Sequence, residues 1–263
     1  MPEGDTIWRA ARALHAALAG KTVVAFASSL PAVTAASVRL GLVGRTLEAV
    51  EARGKHLLVR FAGGAVLHTH QGMRGSWRLH RRILPARWPR SARAVIETAD
   101  AVAVCSLSPV VEVLSPSRAA AHPALARLGP DLLGPGFDRE AARRRLRARG
   151  ELEVGTALLD QTALAGIGNV YKSEVLFLCG VSPFTHVRDL EDATIDRVVA
   201  RAGELLRRNL SPGGPRSIPG LAPGRFWVYR RSGQPCRSCG TRIERAVQGE
   251  QARSTYFCPV CQR

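Results

Sequence analysis

The first residues of the chain could supply a covalent nucleophile. Pro2 follows the initiator Met1, which is normally removed before so small a residue, and its removal leaves a secondary amine at the chain start. An α-amino group has a pKa of about 7.7–8.0, so a useful fraction is neutral near pH 7. Attack on an aldehydic or glycosidic carbon would give an iminium, and the neighbouring Glu3 could act as general acid or base. Many proteins begin with Met-Pro, so these two residues alone favour an ordinary chain start.

Four cysteines near the carboxyl end have the spacing of metal ligands. They form two Cys-x2-Cys pairs separated by 18 residues, namely Cys236, Cys239, Cys258 and Cys261. Two such pairs complete a tetrahedron without an open position, so the spacing predicts one structural Zn²⁺ in a small β-hairpin finger. Free or oxidised thiols are the alternative. Pairing for metal rather than disulfides also indicates a reducing cytoplasm.

A glycine-rich turn lies between two apolar helical stretches, in the run ALAGIGNVYKSE. Gly166 and Gly168 would let the backbone approach an anion, helix amides would point at it, and Asn169 could add a donor. Glycines there could equally serve close packing of two helices. The charge of the chain favours the phosphate interpretation.

The composition indicates a polyanionic partner. Among 263 residues, 38 Lys and Arg face 21 Asp and Glu, which gives a net charge of +17 and a pI near 11.2. Such an excess favours nucleic acid, with a merely soluble or ribosome-associated basic protein as the alternative. Only Lys21, Lys55 and Lys172 are lysines, and lysine, unlike arginine, can lose its proton. No apolar run approaches the roughly 20 residues that span a bilayer, and the start does not resemble a signal peptide.

The patterning predicts an α+β chain of several domains. Residues 6–19 form an amphipathic helix, and residues 21–114 contain short strands of a sandwich or barrel. Residues 115–123 look like a linker and 138–210 are helical. A Pro/Gly loop at 211–224 precedes the cysteine module.

Several motifs occur in one order along the whole chain. They are MPEGDTIW at the start, GKHLL at 54–58, THQGMRGSW at 69–77, RLGPDLL at 127–133, LLDQTALAGIGNVYKSE at 158–174 and RSTYFCPVCQ at 253–262. Together they resemble the bacterial formamidopyrimidine-DNA glycosylase/endonuclease VIII family. The resemblance implies an N-terminal β-sandwich with an N-terminal helix at 2–120. It further implies a helix–two-turn–helix DNA-binding domain at 128–222 and a zinc finger at 227–263.

The resemblance also implies roles in catalysis. Pro2 is similar to the Schiff-base nucleophile that attacks C1′ of the damaged nucleotide, and Glu3 to the proton donor that assists base loss. Lys55 resembles a lysine that serves β-elimination and grips phosphate. Arg253 matches the finger arginine that contacts phosphate and supports δ-elimination.

Three further residues resemble DNA contacts of the family. Asn169 corresponds to a phosphate-binding asparagine, and Arg127 to another backbone contact. Met73 aligns with a residue that fills the gap left by a flipped base.

The chain departs from the family pattern in places that bear on the substrate. Many members have a second glutamate where Thr6 stands, although Asp5 is adjacent, and the glutamine that some endonuclease VIII sequences place beside the wedge is Gly72 here. The loop at 211–224 lacks the stretch typical of the branch that removes oxidised purines. We therefore expect an endonuclease VIII-like glycosylase and lyase that favours oxidised pyrimidines.

The alternatives to this function are an oxidised-purine glycosylase and a catalytically silent binder of damaged or structured DNA. A zinc-ribbon transcription factor would not explain the N-terminal match. We expect a cytoplasmic monomer that acts on damaged DNA at the nucleoid, without a membrane or a small-molecule cofactor. Cys105 and Cys179 are expected to be buried structural thiols.

Overall fold

The computed structural model describes residues 2–81 and 89–263, so Met1 and its expected removal lie outside the described residues. The chain divides into two compact units, one ending at Arg127 and the other beginning at Leu128. The three domain ranges 2–120, 128–222 and 227–263 remain a prediction.

The first unit is built from strands and one long helix. Its described elements are α1 (Gly4–Leu18), β1 (Ala25–Ala27), α2 (Pro31–Arg39), β2 (Leu47–Arg53), β3 (His56–Phe61), β4 (Val66–His70), β5 (Ser76–Arg81), β6 (Ala92–Glu97), β7 (Ala101–Ser106), β8 (Val110–Leu114), α3 (Pro116–Ala120) and α4 (Pro123–Ala126). The described strands form two antiparallel sheets, in the orders β1-β6-β7-β5 and β2-β3-β4-β8. Side chains of both sheets and of α1 share one apolar core, which confirms the expected sandwich with its N-terminal helix.

Helix α1 begins at the chain start because its apolar residues recur at helical spacing. Ile7, Ala11, Leu14 and Leu18 are each at most 3% exposed and point into the shared core. Gly20 then adopts a φ of 78°, a left-handed conformation that glycine accepts without strain, and the helix has ended. The helix begins two residues earlier than the sequence predicts.

Three helical segments of this unit differ from the prediction, which expected strands and then a linker. Helix α2 has a proline in its first turn, followed by small residues, and it buries Val33 and Ala36. Helix α3 lies within the predicted linker and α4 begins at its last residue, Pro123, and each also has a proline in its first turn. Their shortness and weak apolar periodicity explain why the sequence pattern does not reveal them.

The second unit is mainly helical and ends in a hairpin. Its described elements are α5 (Arg139–Arg147), α6 (Val154–Ala157), α7 (Asn169–Leu178), a 3-10 turn (Val187–Asp189), α8 (Asp192–Arg208), β9 (Glu244–Gln248) and β10 (Arg253–Phe257). The Asp138 carboxylate caps α5 by accepting the Ala141 N–H at 2.9 Å. Both helices lie in the stretch predicted to be helical, and α8 buries Ile195, Val198 and Leu205 among others. Within the described residues, no helix combines the length and the apolar character needed to cross a membrane.

Candidate active site and metal centre

Pro2 and Glu3 lie at the start of α1. Glu3 is the N-cap residue, and its carbonyl oxygen accepts the N–H groups of Thr6 at 2.9 Å and Ile7 at 3.1 Å. Its side chain is fully buried, whereas Pro2 is half-buried. The N-terminal end of a helix carries partial positive charge, which disfavours a second cation and so favours the neutral form of an adjacent amine. This placement suits both a nucleophilic amine at Pro2 and a carboxyl group held against α1.

Lys55 lies at the same end of the sandwich as the start of α1. The His15 Nδ1 accepts the Val50 N–H at 3.2 Å, and further back the Gly20 N–H donates to the Leu47 carbonyl at 2.7 Å. Helix and strand therefore run in opposite directions past each other. The eleven residues of helix before His15 lead back to Gly4, and the three residues of strand after Val50 lead to the β2–β3 turn at Gly54 and Lys55. The turn with Lys55 therefore lies toward the end of α1 that begins at Gly4.

The charge of Lys55 acts on the neighbouring histidines. His56 and His70 are directly paired across β3 and β4. Burial, followed by nearby histidines and Lys55, lowers the pKa of His56 to about 3. Burial and then Lys55 lower the pKa of His70 in the same direction. Both imidazoles therefore stay neutral near pH 7, and Lys55 contributes a positive charge that acts on both of them.

The turn after β4 presents Met73 to solvent. The Gly75 N–H donates to the Gln71 carbonyl at 2.8 Å and closes the turn, and a Cβ on Gly75 would lie 2.3 Å from that same oxygen. Gly72 has a φ of 57°, and a Cβ there would lie 2.8 Å from the Pro109 ring. Met73 at the tip is 70% exposed, and an apolar side chain presented in this way suits insertion between bases.

Thr6, which stands where many relatives have a glutamate, belongs to the same helix start. Its Oγ1 donates to Asp5 Oδ1 at 3.3 Å, and Asp5 is fully buried with Arg9 Nη2 at 3.7 Å. A second carboxyl group is therefore held in the first turn, one position earlier than the family glutamate.

The four predicted cysteine ligands converge in the second unit. All four Sγ atoms lie within 4.8 Å of one another, with Cys236–Cys261 at 3.9 Å and Cys239–Cys258 at 3.5 Å. A zinc ion bound to four thiolates at about 2.3 Å requires neighbouring sulfurs about 3.8 Å apart. The donors therefore fit one tetrahedral Zn²⁺, which is structural because no position stays open for a substrate.

The thiols of this cluster differ from one another in pKa. Hydrogen bonds with Thr241 lower the pKa of Cys239 to about 6, whereas burial and the neighbouring sulfurs raise the pKa of Cys261 to about 12. Four thiols this close cannot all ionise unless a cation neutralises them.

The glycine turn before α7 is fixed by a side chain that the sequence does not single out. Gln161 donates to the carbonyls of Leu159 and Ile167, both at 3.0 Å, and its Oε1 accepts the Gly166 N–H at 3.1 Å. Gly129 packs against the same turn, since a Cβ there would lie 2.6 Å from the Ala163 backbone. The run RLGPDLL therefore supports the turn through backbone contact.

Asn169, the first residue of α7, contacts the finger. Its Nδ2 donates to the Ser254 carbonyl at 2.6 Å, and its side chain is 9% exposed. One of the two protons on Nδ2 is thus donated to the hairpin. Its Oδ1 is buried without a hydrogen-bond partner among the described residues.

A buried polar chain joins α7 to the finger hairpin. Lys172 Nζ contacts Thr255 Oγ1 at 2.6 Å, and Thr255 Oγ1 donates to Gln248 Oε1 at the same distance. The Gln248 amide in turn donates to Glu153 Oε2 at 2.8 Å and to the Pro183 carbonyl at 2.9 Å. Lys172 is therefore an anchor for the finger, not an exposed base.

Glu174 is a second anchor that the sequence does not indicate. Its fully buried carboxylate accepts the backbone N–H groups of Trp227, Val228 and Tyr229 at 2.8–3.0 Å. Burial raises its pKa despite these donors. The segment that leads into the finger is thereby held against α7.

Arg253 begins β10 and is exposed. Its Nη2 and Nε donate to Gln251 Oε1 at 2.9 and 3.2 Å. A cleft of about 490 Å³ beside it is lined partly by the carboxylates of Glu151, Glu153 and Glu250. These charges repel phosphate, so we expect a DNA contact of Arg253 on the outer surface rather than inside the cleft. Arg127, at the end of the first unit, is exposed as well.

The two remaining cysteines differ from each other. Cys105 is fully buried, its Sγ donates to Ser108 Oγ at 3.2 Å, and burial raises its pKa to about 11. Cys179 follows the end of α7 and is only half-buried, so the expectation of a buried thiol is wrong there. The end of a helix leaves its last side chains nearer to solvent.

Known sequence families match most of the chain. Residues 1–107 match the formamidopyrimidine-DNA glycosylase N-terminal domain, and residues 128–217 match the H2TH domain of the same glycosylase. Residues 233–263 match the zinc finger found in FPG and IleRS.

Relatives of similar length and fold are bacterial DNA-repair proteins. Over its whole length, the chain is 43% identical to the probable endonuclease 8 2 of Streptomyces coelicolor and covers 94% of that protein. It is 42% identical over its whole length to the DNA-(apurinic or apyrimidinic site) lyase Nei2 of Mycolicibacterium smegmatis, of which it covers 99%. Its structure is similar to Lactococcus lactis formamidopyrimidine DNA glycosylase, crystallised with DNA that contains an AP site. That similarity has a TM-score of 0.84 and 25% identity over 100% of both chains.

We expect Cys258→Ser to remove the zinc and unfold the finger hairpin. A closed four-thiolate site contributes folding free energy, so loss of one ligand should release the ion and weaken DNA binding. Metal analysis and a DNA titration measure both effects. Cys179→Ser is the matched control and should keep one zinc per chain. Full zinc content in Cys258→Ser would contradict the assignment.

Proposed function

Since this chain belongs to the formamidopyrimidine-DNA glycosylase/endonuclease VIII family, we propose that Pro2 is the nucleophile of a bifunctional DNA glycosylase/AP lyase. The observation that carries the assignment of Pro2 is its place directly before the N-cap of α1, beside the buried Glu3. The enzyme excises an oxidised base and then nicks the strand in base excision repair. The zinc ion holds the finger and takes no part in the chemistry.

The first chemical step joins the protein to the sugar. The lone pair of the Pro2 amine forms a bond to C1′ while the glycosidic bond breaks, and its electron pair leaves with the base. Glu3 supplies the proton that this departure requires. Opening of the sugar ring, with protonation of its oxygen and loss of the amine proton, gives an iminium.

The iminium prepares the strand for cleavage. It acidifies the C2′ proton, and loss of that proton expels the 3′ phosphate in β-elimination. A second elimination expels the 5′ phosphate and releases the sugar from the DNA. Lys55 is the positive charge near His56 and His70, and it suits both proton transfer and a hold on phosphate.

In this proposal, residues on several elements contact the DNA. We propose that Met73 fills the gap left by the flipped base, because an apolar side chain at an exposed turn suits an unstacked step. Asn169, Arg127 and Arg253 would contact the phosphate backbone.

The substrate branch follows from the departures in sequence. Relatives named endonuclease 8 are 33–43% identical to the chain, and the loop at 211–224 lacks the stretch typical of oxidised-purine glycosylases. We therefore propose a preference for oxidised pyrimidines. Incision of oligonucleotides that each contain one defined lesion tests the preference, and faster cleavage at oxidised purines would overturn it. We also propose that the protein acts as a monomer at the bacterial nucleoid.

We expect Pro2→Gly, or retention of Met1, to abolish trapping of a covalent protein–DNA adduct by borohydride. Trapping requires an iminium on the secondary amine, whereas DNA affinity depends on other residues and should change little. Mass spectrometry must establish the state of the chain start in each preparation. Undiminished trapping in protein that retains Met1 would rule out the Pro2 amine as the nucleophile. A silent DNA-binding protein would give no adduct even with Pro2 exposed.

We expect Glu3→Gln to lose base excision and to keep cleavage at preformed abasic sites. Base departure needs a proton, whereas the abasic aldehyde is already an electrophile. Single-turnover rates on both substrates measure the difference, and Glu48→Gln, an exposed carboxylate on β2, is the control. Equal losses on the two substrates would assign Glu3 a structural role instead.

We expect Arg253→Ala to keep zinc and fold while losing one phosphate contact. The slope of log affinity against log salt should fall by about one unit, and the products should shift from δ- toward β-elimination. Arg201→Ala removes the same charge from α8, where Arg201 pairs with Glu204 at 2.9 Å, and should leave the slope unchanged. An unchanged slope and unchanged products in Arg253→Ala would show that Arg253 is a surface charge that does not contact the DNA.

A further inference from the structure

A cluster of histidines and one carboxylate lies in the first unit and has no part in the chemistry above. His68 on β4 and Glu112 on β8 are directly paired across the sheet. Their neighbours Leu67, Val111 and Val113 point into the core, so His68 and Glu112 face the other side. His122, the N-cap of α4, meets them there.

Three ligand atoms converge in this cluster. His68 Nδ1 lies 3.1 Å from Glu112 Oε2, and His122 Nε2 lies 3.0 Å from the same oxygen. All three atoms are within 4.8 Å of one another. Imidazole nitrogen and carboxylate oxygen bind zinc at about 2.0–2.2 Å, which places neighbouring donors about 3.0–3.6 Å apart. The two measured edges match that separation.

The surroundings provide what a metal site requires beyond its ligands. His68 Nε2 lies 2.8 Å from His56 Nδ1, so a metal on Nδ1 would leave the Nε2 proton to be donated to His56. A partner on the second nitrogen is the usual device that orients a ligating histidine. A cavity of about 340 Å³, lined by Glu112, Arg118 and His122 among others, opens the cluster to solvent and gives an ion a path of entry.

We propose that His68, Glu112 and His122 bind a second, exchangeable divalent transition-metal ion of the zinc class. Two imidazoles, which are borderline donors, together with one carboxylate suit such an ion, and the cavity beside Glu112 and His122 leaves room for a further ligand. The ion ties α4 to β4 and β8. Three ligands with an open position hold the ion less firmly than the four thiolates of the finger hold theirs.

Zinc stoichiometry of the full-length protein tests the site. Wild-type protein titrated with Zn²⁺ alone should bind two ions per chain and return to one in the presence of a weak chelator. Glu112→Gln and His122→Asn should bind one ion under all these conditions. Both changes are mild, because glutamine keeps the shape of glutamate and asparagine is a favoured N-cap residue. His80→Asn, an exposed histidine on β5, is the control and should bind two.

Thermal unfolding supplies an independent measurement. An ion that binds only the folded state raises the melting temperature as its concentration increases. Added Zn²⁺ should therefore raise Tm for the wild type and His80→Asn beyond the rise seen in the two cluster variants. A single zinc per wild-type chain at saturation, or two ions retained by both cluster variants, would show that the cluster is a hydrogen-bonded network without a metal. These readouts do not depend on glycosylase activity.

Discussion

A residue near the start of a chain has covalent support on one side only, so the position of Pro2 depends on how the rest of the first unit packs. Pro2 gains its position from α1, which begins two residues later and buries Ile7, Ala11 and Leu14 in the core. Both sheets contribute to that core, so the helix cannot shift along its axis without opening the sandwich. The opposed directions of α1 and β2 then bring Lys55 to the end of the sandwich at which the helix starts. The packing of the sandwich thus fixes where Pro2 lies.

In the second unit, the finger is too small to form a hydrophobic core by itself, so its position depends on other contacts. Zinc fixes the hairpin internally, but its orientation depends on Lys172, Thr255 and Gln248, which are buried and bonded to one another. A buried polar group that lacks its partner costs about 1–3 kcal/mol, so a hairpin in any other orientation is penalised at several positions together. Glu174 adds a carboxylate that holds three backbone amides of the entering segment. The same network determines the position of Arg253, which is the first residue of β10.

Much of the molecule could be predicted from residue types and their spacing. Periodic apolar residues indicated α1 and α8, short β-like runs between turn residues indicated strands such as β3, and two Cys-x2-Cys pairs indicated the finger. These signals are local, because each depends on residues close in the chain. The same signals do not reveal the short helices α2 and α4, because these helices have too few turns for their apolar residues to show a helical period. The sequence also suggested titration for Lys172, whose surroundings instead make it an anchor.

The sequence by itself determined most element types and the zinc ligands, because residue types and periodicity among neighbouring residues indicate both. Only the tertiary structure decided which distant side chains meet. The pairing of His68 with Glu112, and the contact of Asn169 with Ser254, join residues 44 and 85 positions apart. Their types alone do not distinguish such partners from solvated surface groups. Burial distinguishes partners from surface groups, because a polar group withdrawn from water must find its hydrogen-bond partner within the fold.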